Sequence, residues 1–389
     1  MTTDRPNASA FFDNFLDESH LALRAQARRF AEAEILPHAF AWEEAGLFPR
    51  ELYAAAAAAG VLGVGFPEAL GGVGGGALHA VMIIEGLLRG GSTGVTVGLG
   101  SLGIALPPIV QWKDPWQLET FVRPTLSGKL IAALAITEPN TGSDVAGVKT
   151  RATRDGDRYL VSGAKLFITS GTRADVLVTL ARTGKDPHGG LSFFVLTPDM
   201  PGVRVSRALK KTGWCASDTA ELFFDEVSVP LSHRVGPEGS AFATLMRNFV
   251  VERLALAAYG AATADIALEE SIRFARQREA FGRPIAGFQV TRHKLADMAT
   301  RVLAAKTLVY QVATRLDRGE QPLAEVAMAK NLAAEVAHEV TYEAVQIHGG
   351  MGYMRETLVE RLSRDARLLP IGGGTSEIMK EIICKAMGL

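Results

Sequence analysis

The chain has 389 residues, of which 48% are hydrophobic and 21% are charged. This is the balance of a globular protein, and a chain of this length buries a large core and holds more than one structural unit. The formal net charge is −1 at pH 7, without a basic stripe or a long run of like charges. That pattern argues against nucleic-acid binding.

The two cysteines, Cys215 and Cys384, form no Cys-x-x-Cys motif and no metal-ligand pattern with a nearby histidine. This favours a reducing compartment and predicts neither a disulfide framework nor a metal site. The N-terminal stretch "MTTDRPNASAFFDNF" has no positively charged segment followed by an apolar one, so we expect no secretion signal. The sequence therefore predicts a soluble, cytoplasmic protein.

Residues 1–130 are predicted to form an N-terminal helical domain. Apolar residues recur at helical spacing in residues 23–36 and 78–88. The glycine-rich "PEALGGVGGG" between them is interpreted as a flexible loop, because it is not a Gly-x-Gly-x-x-Gly motif that follows a strand. The most apolar stretch, "TVGLGSLGIALPPIVQW", is interrupted by Pro107 and Pro108. A membrane span needs about 20 continuous apolar residues, so we predict a buried helix there and no membrane insertion.

Residues 131–236 are predicted to form a small antiparallel β-domain. The segment "RATRDGDRYLVSGAKLFITSG" carries a hairpin signal at Asp155-Gly156, flanked by residues that favour strands. The segments "DVLVTLAR", "LSFFVL" and "ELFFDEVSVP" continue as short strands with Gly, Pro and Asp between them.

Residues 237–389 are predicted to form a C-terminal four-helix domain. The helical period returns there, with helices at roughly 240–275, 288–318, 322–348 and 375–388. The predicted fold class is therefore α+β, with a helical domain, a β-domain and a second helical domain in this order.

Two segments near the start of the β-domain carry groups suited to a polar ligand. "ITEPNTGSD", residues 136–144, offers hydroxyls and accessible backbone amides, although the same residue types are typical of a turn between domains. "KLFITSG" places Phe167 and Thr169 on one face of a strand. An aromatic ring and a hydroxyl could hold a flat ring there by stacking and one hydrogen bond, or simply belong to the core and the sheet edge.

Two later segments leave similar alternatives open. "RQREAFGRP" offers three arginines around Phe281, which either pair with a phosphate or line a solvated turn. "QIHGGMGY" ends a helix with Gly349 and Gly350. Such a pair caps a helix, and it also lets backbone approach a ligand closely.

The segment "PIGGGTSEIM", residues 370–379, places three glycines directly before the last predicted helix. Thr375 can cap that helix through its hydroxyl, and Glu377 in the first turn interacts favourably with the helix dipole. The glycines leave backbone N–H groups exposed towards an oxygen or a phosphate. A capped helix and an amide donor site are compatible here.

Glu252 is a lone carboxylate in the apolar segment "MRNFVVERLALAAYGAA". Its helical neighbours three, four and seven positions away are mostly apolar: Leu245, Asn248, Phe249, Ala255, Leu256 and Tyr259. Burial raises the pKa of a carboxylate towards neutrality, which suits a general base. A buried ion pair with an arginine of another helix is the alternative.

Taken together, these segments resemble the acyl-CoA dehydrogenase family over nearly the whole chain. The motifs that carry the resemblance follow in the family's order: "ITEPNTGSDVAG", "KLFITSG", "TAELFFDEVSVP", "RQREAFGRPI", "QIHGGMGYMRE" and "RDARLLPIGGGTSEI". Each motif is weak alone, but the ordered set with matching separations is specific. The resemblance implies FAD as cofactor, an acyl-CoA substrate, an electron-transfer flavoprotein as electron acceptor and a homotetramer. The implied reaction is α,β-dehydrogenation to a trans-2-enoyl-CoA.

The resemblance also implies roles for individual positions. Contacts with the flavin or the thioester arm are implied for Leu134, Ile136, Thr137, Ser143, Phe167, Ile168 and Thr169. Contacts with the FAD of a neighbouring subunit are implied for Arg278, Phe281, Gln289, Gln346, Gly349 and Gly350, and Thr375 and Glu377 would also meet flavin. The substrate would meet Ser143, Arg253, Gly373 and Gly374. Many members have Trp where this chain has Phe167.

The position of the catalytic base separates branches of the family. Many members read "IYEGT" where this chain reads "IGGGT", and the glutamate of that motif is their base. In the isovaleryl-CoA and long-chain branches this position is glycine and the base lies in a helical "ERL" segment. This chain has Gly373 in the loop and "VERLALAA" in the helix, which makes Glu252 the candidate base. Gly373 also enlarges the pocket, so we expect a long, branched or otherwise bulky acyl chain.

Other functions remain compatible with the same resemblance. A flavoprotein of this type could instead be an acyl-CoA oxidase, a nitroalkane oxidase-like enzyme or an enoyl-CoA reductase. A non-catalytic protein that keeps the fold and the flavin, or a purely structural helical protein, belongs to a different class of function.

Overall fold

The computed structural model describes Phe12 and residues 15–389. Contacts within the chain define two units. One contains the described residues up to Pro37 together with Gly75–Thr93 and Arg253–Leu389, and the other contains His38–Gly74 and Gly94–Glu252. The N-terminal helices are thus shared between the two units. The domain boundaries at residues 130 and 236 stay predictions.

The N-terminal part of the chain is helical, as predicted. Its helices are α1 (Glu18–Phe30), α2 (Ala39–Ala45), α3 (Glu51–Ala58), α4 (Ala77–Leu87), α5 (Thr93–Gly100), α6 (Leu102–Ala105), α7 (Pro107–Trp112), α8 (Pro115–Gln117) and α9 (Arg123–Leu126). Helix α1 begins at a capping box, in which the side chain of Asp17 accepts from the backbone N–H of His20. Short π-helical turns follow at Ala31–Ile35 and Leu118–Val122.

The segment "PEALGGVGGG" is a hydrogen-bonded turn, which corrects the prediction of a flexible loop. A 3₁₀ turn spans Glu68–Leu70, and Gly71 follows it with φ +89°. The N–H of Gly65 donates to the carbonyl of Gly74 at 2.7 Å, which ties the two sides of the segment together. Glycine is needed where the chain takes positive φ, so the same residues that suggested flexibility allow a tight turn.

The helical stretch Thr93–Trp112 is long enough and apolar enough to cross a membrane, judged by length and composition alone. In the structure 67% of the most apolar window is buried, and the stretch is divided into α5, α6 and α7. Core helices of water-soluble proteins pass the same test, so it is weak evidence for a membrane span. The prediction of a buried helical stretch is confirmed.

The middle of the chain forms a sheet within the second unit. Its strands are β1 (Ala132–Ala135), β2 (Arg151–Asp155), β3 (Arg158–Thr169), β4 (Val176–Arg182), β5 (Leu191–Leu196), β6 (Val203–Val205), β7 (Thr219–Pro230) and β8 (Arg234–Val235). The spatial order is β6-β7-β3-β2-β4-β5-β8, and β1 pairs with β4. The predicted hairpin is confirmed, because Asp155 pairs with Arg158 and Gly156 takes φ +63° in the turn.

The sheet is mixed, which corrects the prediction of a purely antiparallel domain. Strand β1 pairs with β4 in parallel from Ala132↔Val176 to Ala135↔Thr179. A parallel pair needs a long connection, and here the β2–β3 hairpin lies within that connection. Local strand patterns carry no information about such non-local pairing, so the sequence could not indicate it.

The C-terminal part is helical, with α10 (Ala241–Gln277), α11 (Gln289–Asp317), α12 (Leu323–His348), α13 (Leu358–Ala366) and α14 (Ser376–Ala386). A small hairpin of β9 (Glu279–Ala280) and β10 (Arg283–Pro284) follows α10. The predicted long helices agree with α10, α11, α12 and α14 to within a few residues. Helix α13 was not predicted, because its nine residues span little more than two turns, too few for a sustained apolar period.

Buried charges join α4 to α10 and α11 within the first unit. Arg89, in the turn that follows α4, pairs with Asp265 and Glu269 of α10, and Lys306 of α11 lies 3.2 Å from carboxylate oxygens of both Glu85 and Asp265. Charges with several partners of opposite sign tolerate burial. This network fixes the N-terminal helix α4 against the long helices that carry the C-terminal motifs.

Candidate active site

The loop that follows β1 is anchored to strand β3 in the second unit. The backbone N–H of Leu166 donates to the carbonyl of Thr137 at 2.8 Å, and Lys165 Nζ donates to the carbonyl of Ile136 at 3.0 Å. These bonds bring the start of the "ITEPNTGSD" segment beside the strand that carries Phe167. The two motifs that the sequence suggested as a ligand site are thus adjacent.

A buried ion pair supports this junction. Lys165 is fully buried, and its Nζ lies 2.9 Å from Oε1 of Glu138, which is 7% exposed. The Glu138 carboxylate also accepts the backbone N–H groups of Lys149 and Thr150, at 2.7 and 2.9 Å. Buried charges persist only when they are paired and hydrogen-bonded, and this pair meets both conditions.

The pair changes the proton affinity of both groups. Burial lowers the pKa of Lys165 to about 8, against the opposing attraction of Glu138. Burial raises the pKa of Glu138, but the charge of Lys165 and the hydrogen bonds outweigh it and hold the pKa below its usual range. The sequence analysis missed this pair, although a lysine between Ala164 and Leu166 in the middle of a strand indicated it.

Phe167 lies at an irregular point of β3. The pairing with β7 shifts between Lys165 and Ile168, and Phe167 takes φ +61°, which is rare for an aromatic residue. Its side chain is 64% exposed, whereas the side chain of Ile168 is buried in the core of the sheet. The prediction of a regular strand with simple alternation is therefore wrong at this point. A bulge turns the aromatic ring outward, which is common next to ligand sites.

The remaining predicted residues of this set lie along the same junction. Leu134 and Thr137 are half-buried, Ile136 is buried, and Thr169 is half-buried at the end of β3. Ser143 is exposed. The backbone of neighbouring Gly142 faces open space, since a Cβ added there would meet no atom within 4 Å. The set therefore combines an exposed ring, hydroxyls and accessible backbone.

In the first unit, the hairpin β9–β10 presents a second set of predicted residues. Phe281 is 95% exposed at φ +53°, and its ring centroid lies 6.1 Å from that of Phe288. The guanidinium of Arg283 lies over the Phe288 ring at 4.2 Å. Arg278 and Gln289 are exposed on either side of the hairpin. Nothing in the described part of this unit covers Phe281, as expected of a side chain that meets another molecule.

The glycine pair at the end of α12 is open to solvent. Gly349 ends the helix with φ +57°, and Gly350 follows it; a Cβ on either would meet no atom within 4 Å. Gln346 is exposed one turn earlier. His348 stacks on Phe274 of α10, with ring centroids 4.2 Å apart. This stack joins the end of α12 to the end of α10, so the glycine pair and the hairpin lie at the same end of this unit.

The glycine-rich loop before α14 has the predicted helix cap. The Oγ1 of Thr375 accepts the N–H of Ile378 at 3.3 Å. Glu377 is exposed, and hydrogen bonds from its own backbone N–H and from Thr375 hold its pKa below the usual range. Gly373 and Gly374 take φ +63° and +97° and are half-buried. Both predicted features of this segment, the cap and the acidic first turn, are confirmed.

Side chains from two helices bind the carbonyls of this loop. Arg253 of α10 donates from Nε to the carbonyl of Gly373 at 3.2 Å, and Lys330 of α12 donates from Nζ to the carbonyl of Gly374 at 2.7 Å. Arg253 thus contacts Gly373, one of the residues that were predicted with it to meet the substrate. Lys330 was missed, because a lysine in the alanine-rich "AMAKNLAAEVA" is indistinguishable by pattern from one that extends its side chain to solvent.

Glu252 directly precedes Arg253 in α10. It is half-buried, and its Oε2 atom is shielded from solvent. The helical neighbours Leu245, Leu256 and Tyr259 are buried, which confirms that the carboxylate belongs to an apolar helix face. A carboxylate shielded in this way has the setting that a general base requires.

Three family models match consecutive parts of the chain. The acyl-CoA dehydrogenase N-terminal, middle and C-terminal domains match residues 17–129, 133–227 and 239–388. The chain belongs to the acyl-CoA dehydrogenase family. The expected fold of a helical domain, a β-domain and a second helical domain is thereby confirmed.

Individual relatives agree with the assignment to this family. The chain is 36% identical to the mitochondrial long-chain specific acyl-CoA dehydrogenase of Sus scrofa, over 98% of this chain and 90% of that protein. It is similar to a crystal structure from Mycobacterium smegmatis assigned as an acyl-CoA dehydrogenase, with TM-score 0.95, 46% identity and coverage of 97% and 99% of the two chains. It is also 35% identical to a 3-(aryl)acrylate reductase of Clostridium sporogenes, over 95% and 98% of the two chains.

Acyl-CoA dehydrogenases are FAD-dependent flavoproteins, so this chain is a flavin-dependent oxidoreductase whose family acts on acyl-CoA substrates. The observed residues fit such a cofactor. In the second unit, an outward aromatic ring at Phe167, the hydroxyls of Thr137 and Thr169 and the open backbone at Gly142 suit a flat ring with polar edges.

Proposed function

We propose that this acyl-CoA dehydrogenase converts an acyl-CoA thioester to the trans-2-enoyl-CoA, with Glu252 as the base that removes the α-proton. The observation that carries the proposal is the glycine loop. Gly373 supplies no carboxylate, yet its carbonyl is bound by Arg253, the residue that directly follows Glu252 in α10. A base on this helix replaces the one that the loop lacks.

The proposed roles of the other residues follow from their settings. Bound FAD supplies the acceptor for the β-hydrogen, which leaves as hydride. Phe167 would stack on the flavin ring, and the neighbouring residues would hold the flavin or the thioester arm: Leu134, Ile136, Thr137, Ser143, Ile168 and Thr169. The FAD of a neighbouring subunit would meet Arg278, Phe281, Gln289, Gln346, Gly349 and Gly350, and Thr375 and Glu377 would also meet flavin.

Removal of the α-proton places negative charge on the thioester oxygen, which requires donors that are already in position. The N–H of Gly373 is proposed as one such donor, near Gly374 and the guanidinium of Arg253. A glycine keeps this donor and contributes no side chain to the pocket. Its positive φ also makes a larger residue unfavourable there.

We propose a long, branched or otherwise bulky acyl chain as the substrate. The missing side chain at Gly373 leaves room near the α-carbon, and the similarity to the long-chain specific enzyme of Sus scrofa supports this choice. A panel of acyl-CoA thioesters decides it. Good turnover of butyryl-CoA beside poor turnover of every bulky thioester would contradict the proposal.

We further propose a cytoplasmic homotetramer that passes electrons to an electron-transfer flavoprotein. Large exposed apolar side chains in the first unit support the oligomer, among them Phe281, Val290, Tyr342 and Tyr353. Cys215 and Cys384 form no disulfide with each other, which supports a reducing compartment. Light scattering of the purified protein measures the mass, and reduction of an added electron-transfer flavoprotein measures the transfer.

The decisive experiment is anaerobic bleaching of the bound flavin by acyl-CoA thioesters, with wild type beside Glu252→Gln. General acid–base catalysis contributes about 10²–10⁴-fold, so the variant should bleach slower by about this factor while it still binds FAD and ligand. Glu335→Gln, at an exposed position of α12, is the matched control and should bleach like wild type. A Glu252→Gln variant that bleaches as fast as wild type would show that another group is the base.

The opposite reaction direction is the second candidate, because a reductase of Clostridium sporogenes is among the relatives. In that case a chemically reduced flavin is reoxidised by an enoyl-CoA much faster than the oxidised flavin is bleached by the saturated thioester. Rapid release of hydrogen peroxide with substrate would instead indicate an oxidase. A stable yellow protein that responds to no thioester would indicate a non-catalytic flavin-binding protein.

A further inference from the structure

Side chains of α10 and α12 donate hydrogen bonds to the carbonyls of the glycine loop at residues 370–376. Besides the bonds from Arg253 and Lys330, Asn331 of α12 donates from Nδ2 to the carbonyl of Ser376 at 3.1 Å. The N–H of Ser376 closes the loop by donating to the carbonyl of Pro370 at 3.0 Å. Glycines have little conformational preference of their own, so these contacts determine the loop's conformation.

Lys330 is an unusual residue for this task. It is 1% exposed, and burial together with the nearby charge of Arg253 lowers its pKa to about 8, against the attraction of Glu377. Within the described residues, no carboxylate forms a salt bridge with its Nζ; its hydrogen bond goes to the Gly374 carbonyl. A buried cation without an ion pair is costly. A methionine of similar length would avoid that cost, so the bond to the loop is what the lysine contributes.

The bonds to the carbonyls also orient the amides. In a trans peptide the C=O and the following N–H point in opposite directions. Since the carbonyls of Gly373 and Gly374 point at Arg253 and Lys330, the N–H groups of Gly374 and Thr375 point away from those cations. Among the described residues, neither N–H has a backbone carbonyl as acceptor. The loop therefore presents the N–H groups of Gly374 and Thr375 on the side opposite Arg253 and Lys330.

We propose that Lys330 is a positioning residue for the dehydrogenation: by holding the Gly374 carbonyl, it fixes the conformation of the glycine loop whose Gly373 N–H is the proposed donor to the thioester. The proposal rests on the proposed function, because the loop acts on substrate only there. Lys330 itself does not touch the reacting atoms. Its effect is on the geometry of the donors, and a misplacement of about 1 Å costs up to about 100-fold in rate.

The test compares Lys330→Met and Lys330→Arg with wild type in the FAD-loaded protein. Lys385→Met, at an exposed position of α14, is the matched control. Amide hydrogen exchange of residues 372–376 is measured by mass spectrometry without substrate, and kcat and KM are measured with the preferred acyl-CoA. For Lys330→Met we expect faster exchange in the loop, a kcat reduced by about 10–100-fold and a KM within about threefold of wild type.

The arginine variant keeps a charged donor and should restore most of the exchange protection and of kcat, and Lys385→Met should change neither. If Lys330→Met does not fold, Lys330→Gln replaces it, because its shorter side chain cannot reach Gly374 and should show the same losses. Unchanged exchange and kcat in a folded Met or Gln variant would overturn the proposal. Unchanged amide exchange of the loop together with a reduced kcat would also overturn it, because Lys330 would then act by another route. If no acyl-CoA bleaches the flavin of the wild type, the proposed function itself is refuted. Amide exchange of residues 372–376 would still show whether Lys330 holds the loop.

Discussion

Phe167 combines an exposed aromatic ring with a backbone conformation that residues with a side chain rarely adopt. A positive φ costs such a residue about 1–2 kcal/mol. The cost persists because β3 is paired with β7 on both sides of the bulge. Strain of this kind concentrates at ligand sites, where the outward ring is useful to a ligand and contributes little to folding.

We therefore predict opposite effects of Phe167→Gly on stability and on cofactor binding. Relief of the strained backbone offsets the greater flexibility of the unfolded chain, so the free energy of unfolding of the apoprotein should change by less than about 1 kcal/mol. Loss of an aromatic contact worth about 0.5–1.5 kcal/mol should weaken FAD binding severalfold. Urea unfolding and flavin-fluorescence titration measure the two quantities. Phe167→Trp is the control and should retain FAD; equal FAD affinity of Phe167→Gly and wild type would contradict the stacking role.

At the scale of elements, the Glu138–Lys165 pair joins the loop after β1 to strand β3. Lys165 reaches both the carboxylate of Glu138 and the carbonyl of Ile136. The pair therefore fixes the register between a loop and a strand that are not hydrogen-bonded as a regular ladder. A methionine at position 165 would fill the same space but leave these acceptors without their cation.

We predict that Lys165→Met lowers the free energy of unfolding by about 3–5 kcal/mol, because it leaves the buried carboxylate of Glu138 without its partner. The measurement is urea unfolding of the apoprotein. In the double variant Glu138→Gln/Lys165→Met the charge is also removed, so much of the stability should return. A double variant less stable than Lys165→Met would contradict the explanation by an uncompensated charge.

The same pair predicts a pH dependence. Folding holds the pKa of Glu138 below its usual 4.5. The pair's contribution is thus complete above pH 4.5, the pKa of the unfolded chain, and is lost as the pH falls through the lower pKa of the folded state. Between pH 6 and about pH 4, wild type should lose more stability than Glu138→Gln, which has no proton to bind there. Parallel stability curves for the two proteins would show that Glu138 does not titrate in this way.

At the scale of the whole molecule, several of the residues proposed to meet the flavin are exposed. Phe281 is 95% exposed and contributes little to the stability of its own unit. Its proposed role is contact with the cofactor of another subunit. A substitution of Phe281 should therefore affect assembly and cofactor binding but not the folding of the subunit.

We predict that Phe281→Ser leaves the thermal stability of the FAD-free protein unchanged but weakens FAD retention and the homotetramer. The physical reason is that the exposed ring makes its apolar contacts only in the assembly, so its removal costs nothing in the isolated subunit. Light scattering, flavin content after gel filtration and thermal unfolding measure the three properties. Leu389→Ser, at another exposed apolar position, is the control. A variant with full flavin content and unchanged mass would contradict the proposed role of Phe281.

Much of the fold followed from local patterns in the sequence. The long helices α10, α11, α12 and α14 were predicted to within a few residues, because an apolar stripe repeats over many turns. The β2–β3 hairpin and the Thr375 cap were predicted from the residue types that these short-range structures require. The short helix α13 and the irregular point of β3 at Phe167 were not predicted, because neither produces a sustained periodic pattern of apolar residues.

By itself, the sequence determined the family, the helical–β–helical order and the absence of a loop carboxylate at Gly373, because each depends on residue types at given positions along the chain. Only the tertiary structure decided the parallel pairing of β1 with β4 and the partners of the buried lysines. Lys165 meets a carboxylate 27 residues away, and Lys330 meets a carbonyl 44 residues away. The partner of a buried charge depends on which distant segment packs against it, and no local pattern records that choice.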